Sequence, residues 1–123
     1  MKNNTYLKVT CVTNEENNKD EYHFDYFDLS GHIVGTVKIN ELGAIKWYIW
    51  EQKYRENILN FVSFLMGEYV EDTTVYVIRG LAESYERWDR AQDYIHSKGL
   101  VVNYLQNKRY NKVFKDGNVR LSK

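Results

Sequence analysis

One stretch of the chain, Trp47–Met66, reads WYIWEQKYRENILNFVSFLM and changes its hydrophobic period in the middle. Up to Trp50 the residues are aromatic or β-branched, which is typical of a strand. The apolar residues that follow have the i, i+4, i+7, i+8 spacing of an amphipathic helix: Tyr54, Ile58, Phe61, Val62, Leu65 and Tyr69. We therefore predict a strand over Ala44–Trp50 that runs directly into a helix over about Gln52–Tyr69. The first N–H groups of such a helix are free to bind an anion.

The composition predicts one globular domain over residues 1–123, because 43% hydrophobic and 28% charged residues are ordinary values for such a domain. Aromatic residues, at 15%, suit either a large core or a contact surface. Cys11 is the only cysteine and the three histidines lack ligand spacing, so we predict neither a disulfide nor a metal site. The sequence has no apolar run of membrane-spanning length and no signal peptide, so we expect a cytoplasmic protein without membrane contact.

The charge balance argues against a general nucleic-acid-binding protein, because 17 basic and 17 acidic residues give a formal net charge of zero. The C-terminal segment is an exception, since its basic residues outnumber its acidic ones. This segment is either a solvated face or a nucleic-acid contact through Lys108, Arg109, Lys112, Lys115 and Arg120.

Alternation and turn residues predict the remaining elements. The predicted strands are Thr5–Thr13, Tyr22–Leu29, Ile33–Ile39, Ala44–Trp50, Thr73–Arg79, Leu100–Leu105 and a pair within Val113–Leu121. A second helix is predicted over Leu81–Ser97, with a buried stripe formed by Leu81, Tyr85, Trp88, Ala91 and Ile95. The fold class is therefore α/β (α+β), with two main helices and a mixed, mostly antiparallel sheet of about six to seven strands.

Three local sequences add to this order of elements: the hairpin Phe27–Val37 with its Gly turn, the Lys53-Tyr54-Arg55 turn after the fourth strand, and Tyr94 with Lys98-Gly99-Leu100. Together they resemble the GNAT superfamily of acyltransferases over nearly the whole chain. The resemblance implies an acetyl-coenzyme A site at Tyr54, Arg55, Glu56 and Asn57. It also implies a general acid at Tyr94 and a base on or near the fourth strand, at Glu51 or Glu41.

Two departures from that family point away from catalysis. The family's cofactor loop has glycines where this chain has Ile58 and Asn60, and we expect these side chains to crowd a diphosphate. The family also has two helices after its first strand, for which Asn14–Glu21 leaves no room. We therefore predict a GNAT-like domain without a cofactor.

The densest aromatic cluster lies on the fourth strand. Strand alternation places Tyr48 and Trp50 on one face and Trp47 and Ile49 on the other, so one pair can serve as a protein-binding anchor. Our first hypothesis is a non-catalytic protein inhibitor from a phage or mobile element, with a homodimer also compatible with an exposed aromatic face. The alternatives are a divergent acyl-coenzyme A N-acetyltransferase and a nucleic-acid-contacting accessory protein.

Overall fold

The computed structural model describes residues 5–14, 19–70 and 81–105, which form a mixed sheet of five strands and two α-helices. The elements in chain order are β1 (Tyr6–Asn14), β2 (Lys19–Phe27), β3 (Ile33–Asn40), β4 (Ile45–Ile49), a 3-10 turn (Gln52–Tyr54), α1 (Arg55–Met66), α2 (Leu81–Ser97) and β5 (Val102–Leu105). The α+β class with two main helices is confirmed. The strands predicted over Thr73–Arg79 and Val113–Leu121 lie outside the described residues.

The strand order in the sheet is β4-β3-β2-β1-β5. The first four strands form an antiparallel meander, and β5 pairs parallel to β1. In the β2–β3 turn, the Asp28 carboxylate accepts hydrogen bonds from the backbone N–H groups of Ser30 and His32, and Gly31 has a φ of +92°. Side-chain capping and a left-handed glycine account for the predicted hairpin.

Both helices pack on the same face of the sheet, which we call the helix face. Phe61 of α1 meets Phe24 of β2 with ring centroids 4.7 Å apart, and Trp88 of α2 stacks on Tyr22 at 4.6 Å. Residues of this face and of the two helices form the main apolar core of the described chain. The opposite face carries the alternate residues of each strand, among them Lys8, Lys38 and Lys46. It is called the lysine face below.

The first helix is shorter than predicted at both ends. A 3-10 turn separates β4 from α1, so the strand does not run directly into the helix. Gly67 ends α1 with a φ of +80° and donates its N–H to Ser63 O. Tyr69 therefore leaves the helical stripe and is 81% exposed, so its predicted place in that stripe is wrong.

The second helix has the predicted bounds, and Gly99 follows it with a φ of +64°. Its predicted buried stripe is partly wrong, because Tyr85 is 53% exposed. Arg87 is buried instead, with 4% of its surface exposed. A long arginine stem can cover apolar surface, which periodicity counted on apolar residues alone does not register.

In β1 the apolar residues Leu7, Val9 and Cys11 alternate with Tyr6, Lys8 and Thr10, a pattern that predicts burial of one face only, and this prediction is wrong at Thr10. Thr10 and Val12 point to the lysine face and are both fully buried. The centre of that face is therefore closed to solvent, although its edges are exposed. Neither α1 nor α2 is long and apolar enough to cross a membrane.

Candidate functional site

Tyr48 and Trp50 form an exposed, stacked aromatic pair at the end of β4. Their ring centroids lie 6.1 Å apart with an interplanar angle of 17°. The two side chains are 39% and 41% exposed, whereas Trp47 and Ile49 are partly buried and pack against the core. The predicted division of this strand into two faces is confirmed, and Tyr48 and Trp50 are its exposed pair.

The backbone holds this pair in a defined place. The N–H groups of Trp50 and Glu51 both donate to Val34 O of β3, at 2.9 and 3.2 Å. Thr36 of β3 is the cross-strand neighbour of Tyr48. The backbone that bears the two aromatic side chains is therefore hydrogen-bonded to β3, which fixes their position on the sheet.

Lysines accompany the aromatic rings of the lysine face. Lys38 Nζ lies 5.5 Å from the centroid of the Tyr48 ring. Lys38 is also the cross-strand neighbour of Lys46, which is exposed. The charges of both lysines help to lower the pKa of Glu21, which lies on the same face of the sheet.

A second cluster of the same kind lies on β1 and β2. Tyr6 stacks on Phe27 with centroids 5.4 Å apart, and Lys8 Nζ lies 5.1 Å from the centre of the Phe27 ring. Tyr6 is 41% exposed. The lysine face thus carries two aromatic clusters, each with a lysine over a ring, on either side of its buried centre.

A buried carboxyl group occupies that centre. Asp25 is the neighbour of Lys8 on one side and Thr36 on the other. Thr36 Oγ1 donates to Asp25 Oδ1 at 2.6 Å, whereas Oδ2 has no hydrogen-bond partner in the described part of the chain. Burial raises the pKa of Asp25 to about 7, while the bond from Thr36 and the charges of Lys38 and Lys8 act in the opposite direction.

His23 lies beside Asp25 on the same strand face and is fully buried. Burial lowers the pKa of His23, although its contact with Glu21 opposes that shift. His23 Nε2 and Glu21 Oε1 are 3.0 Å apart, and the hydrogen bond to His23 lowers the pKa of Glu21. A neutral ring donating from Nε2 to an ionised Glu21 satisfies both shifts.

The predicted cofactor residues occupy different environments. Arg55 and Glu56 line a cavity of about 370 Å³ beside the start of α1, together with Gln52, Lys53, Leu59, Asn60, Tyr69 and Val70. Tyr54 is buried, with its backbone N–H bonded to Glu51 O, and Asn57 is half-buried. One backbone N–H group of this turn, that of Tyr54, is therefore bonded within the chain, although we expected it to be free to bind an anion.

Of the two side chains expected to crowd a diphosphate, only one lines the cavity beside α1. Ile58 is fully buried and packs against Gly35, so it does not face that cavity. Asn60 is exposed and lines it. The expectation is therefore wrong for Ile58, because the helical stripe turns this residue to the sheet.

The predicted acid and base make their contacts with different elements. Tyr94 packs against Phe61, with ring centroids 4.6 Å apart, and against Phe24 at 6.2 Å. Burial raises the pKa of Tyr94. Glu51 is exposed at the N-terminal end of the 3-10 turn, where its backbone contacts β3. The described contacts give Tyr94 a packing role.

Sequence reasoning missed two features of the site. The first is the buried Asp25–Thr36 pair, because strand alternation places Asp25 on the face opposite to the core residues Phe24 and Tyr26 and so does not predict its burial. The second is a cavity of about 530 Å³ between β2 and the end of α2, lined by Tyr22, Gln92, Ile95, His96, Gly99 and Leu100. The basic residues Lys108, Arg109, Lys112, Lys115 and Arg120 lie outside the described residues.

Comparison with known proteins gives no match: no family model, no curated protein and no solved structure is similar to this chain. The geometry described above is therefore the basis for any functional conclusion.

Proposed function

We propose that this chain is a non-catalytic protein-binding protein that inhibits its partner by covering a surface of it, with Tyr48 and Trp50 at the centre of contact. The observation that carries the proposal is the exposure of this stacked pair on a sheet whose backbone holds it in place. Tyrosine and tryptophan dominate binding energy at protein interfaces, because they bury much area at little entropic cost.

The alternating burial of β4 supports this role. Trp47 and Ile49 supply the packing that the core needs from this strand. Tyr48 and Trp50 are therefore not required by the core, yet each keeps about 40% of its surface in solvent. Exposed aromatic surface of this kind is typical of an interaction site.

The competing proposal is a divergent acyl-coenzyme A N-acetyltransferase on a GNAT-like scaffold. It draws on the cavity beside α1, where Lys53 and Arg55 could approach a phosphate. Two observations count against it: the 3-10 turn occupies backbone donors ahead of α1, and Tyr94 packs among phenylalanines. We propose that the chain is GNAT-like in fold and acts without acetyl-coenzyme A.

Titration calorimetry with acetyl-coenzyme A separates these two proposals. We expect no measurable heat with the full chain. Micromolar binding that is lost in Arg55→Gln, and kept in the control Arg90→Gln on α2, would favour the acyltransferase.

The protein-binding proposal is tested by quantitative capture from the source cells with three versions of the full chain. These are the wild type, the double variant Tyr48→Ser with Trp50→Ser, and the control Tyr85→Ser, which changes a comparably exposed tyrosine on α2. We expect the wild type and the control to retain the same proteins and the double variant to lose them. Equal retention by all three would contradict the proposal.

A further inference from the structure

Among the described residues, β4 is an edge strand of the sheet, because β3 is its one paired neighbour. Two hydrogen bonds show which residues of β4 face β3: Asn40 N–H donates to Ala44 O, and Trp50 N–H donates to Val34 O. Hydrogen-bonded and non-hydrogen-bonded pairs alternate in an antiparallel ladder, so every second residue of β4 points its N–H and C=O groups away from β3. These outward residues are Ile45, Trp47 and Ile49.

The outward side of β4 is open to a further strand. Within the described part of the chain, no hydrogen bond is made to the outward N–H and C=O groups. Proteins commonly protect such an edge with charged residues, a proline or a bulge. β4 reads IKWYI, in which Lys46 is the one charged residue and no proline occurs. A second strand can therefore pair here in any register that accommodates Lys46.

The sequence of β4 is complementary to itself in one antiparallel register. This register pairs all five residues of the strand, with Ile45 opposite Ile49 of the second copy and Trp47 opposite its own counterpart. Lys46 then lies opposite Tyr48 of the second copy. Apolar pairs, and a lysine beside an aromatic ring, are favourable cross-strand neighbours. A shift by two residues shortens the ladder, and in one direction it places the two Lys46 side chains opposite each other.

From this arrangement we infer that a second copy of this chain docks on β4, so that the two β4 strands pair antiparallel about a two-fold axis at Trp47. The two sheets become one continuous sheet, and the outward backbone groups of each copy bond those of the other. Tyr48 and Trp50 of both copies lie on the same face of that sheet. The dimer thus doubles the aromatic surface that the proposed function uses, although dimer formation does not depend on that function.

Sedimentation equilibrium of the full chain, at concentrations up to about 100 µM, tests this inference. We expect a monomer–dimer equilibrium. Tyr48→Lys places a like charge opposite Lys46 of the second copy and should weaken the dimer roughly tenfold. Tyr48→Glu places an opposite charge there and should dimerise at least as tightly as the wild type. The control Tyr85→Lys, which changes a comparably exposed tyrosine on α2, should behave as the wild type does.

Each outcome bears on the dimer separately from the protein-binding function. A wild-type chain that stays monomeric would overturn the inference and leave that function standing. A dimer that Tyr48→Lys and Tyr48→Glu weaken equally would overturn this register, because it would place Tyr48 opposite Tyr48 of the second copy. A dimer that neither substitution changes would place the interface away from β4. An intact dimer that captures no other protein would overturn the protein-binding function alone.

Discussion

Ile58 of α1 occupies the space beside Gly35 of β3 that a side chain at position 35 would need. A Cβ atom there would overlap Ile58 Cδ1 and lie 2.9 Å from Tyr48 O. Gly35 is also the cross-strand neighbour of Ile49 on β4. This close approach of helix and strand fixes α1 against the part of the sheet that carries the aromatic pair.

Gly35→Ala is therefore expected to destabilise the fold by about 1–3 kcal/mol, because the added methyl group forces Ile58 and β4 apart. Urea unfolding of the full chain measures the change. Adding Ile58→Val to Gly35→Ala should restore part of the loss by making room for the methyl group, so the two substitutions should not be additive. Strict additivity would show that the two residues do not share this space.

Gly67 and Gly99 form a matched pair for testing helix ends. Both have positive φ values, +80° and +64°. A Cβ atom at Gly67 would lie 2.7 Å from Arg90 Nη1, whereas nothing lies within 4 Å of one at Gly99. Each change to alanine should lower the free energy of unfolding by about 1 kcal/mol, because a residue with a Cβ atom disfavours the left-handed backbone conformation. Gly67→Ala should cost more in thermal or urea unfolding, because it also displaces the Arg90 guanidinium, which donates to Leu65 O.

Asp25 makes stability depend on pH. Its pKa is about 7 in the folded chain, against an ordinary value of 3.8, so the folded state holds a proton that the unfolded state releases. This contribution is fully present below pH 3.8 and is lost as pH rises to about 7.

Asp25→Asn should remove that dependence. The free energy of unfolding of the variant, relative to that of the wild type, should rise by roughly a few kcal/mol between about pH 4 and a pH above 7. Urea unfolding at each pH measures this change. Asp93→Asn, on the exposed part of α2, is the control and should follow the wild type. A wild-type-like decline in Asp25→Asn would assign the pH dependence to another group.

Two substitutions of Tyr94 distinguish a packing role of its ring from a catalytic role of its hydroxyl group. Tyr94→Phe keeps the ring contacts with Phe61 and Phe64 and should change the free energy of unfolding by less than about 0.5 kcal/mol. Tyr94→Ala should cost about 2 kcal/mol or more, because it removes those contacts. Partner capture should be the same for Tyr94→Phe and the wild type. A loss of binding in Tyr94→Phe, with stability unchanged, would give the hydroxyl group a functional role.

Local sequence patterns predicted the elements whose signals do not depend on distant residues. The hairpin turn at Ser30-Gly31, the bounds of α2 and the two faces of β4 follow from turn chemistry, a capping glycine and strand alternation. The position of α1 was predicted less well, since Gly67 was read as part of the helix. Its left-handed conformation depends on the local contact with Ser63 O.

Features created by tertiary contact could not be predicted in the same way. Burial of Thr10 and Asp25 on the lysine face, and the turn of Ile58 toward Gly35, depend on which elements meet across the sheet. The candidate contact pair Tyr48 and Trp50 was predicted, because alternation alone separates it from Trp47 and Ile49. The lysines that accompany it come from β3 and β4 and meet only in the folded sheet.

Site-specific photo-crosslinking tests the protein-binding surface most directly. A benzophenone amino acid replaces Tyr48 in one version of the full chain and the exposed Tyr85 in another, and both are irradiated in the source cells. The account predicts a discrete crosslinked protein, different from this chain, from position 48 and none from position 85. A product formed only with a second copy of this chain would make the surface a dimer interface, and no crosslink from position 48 would contradict the account.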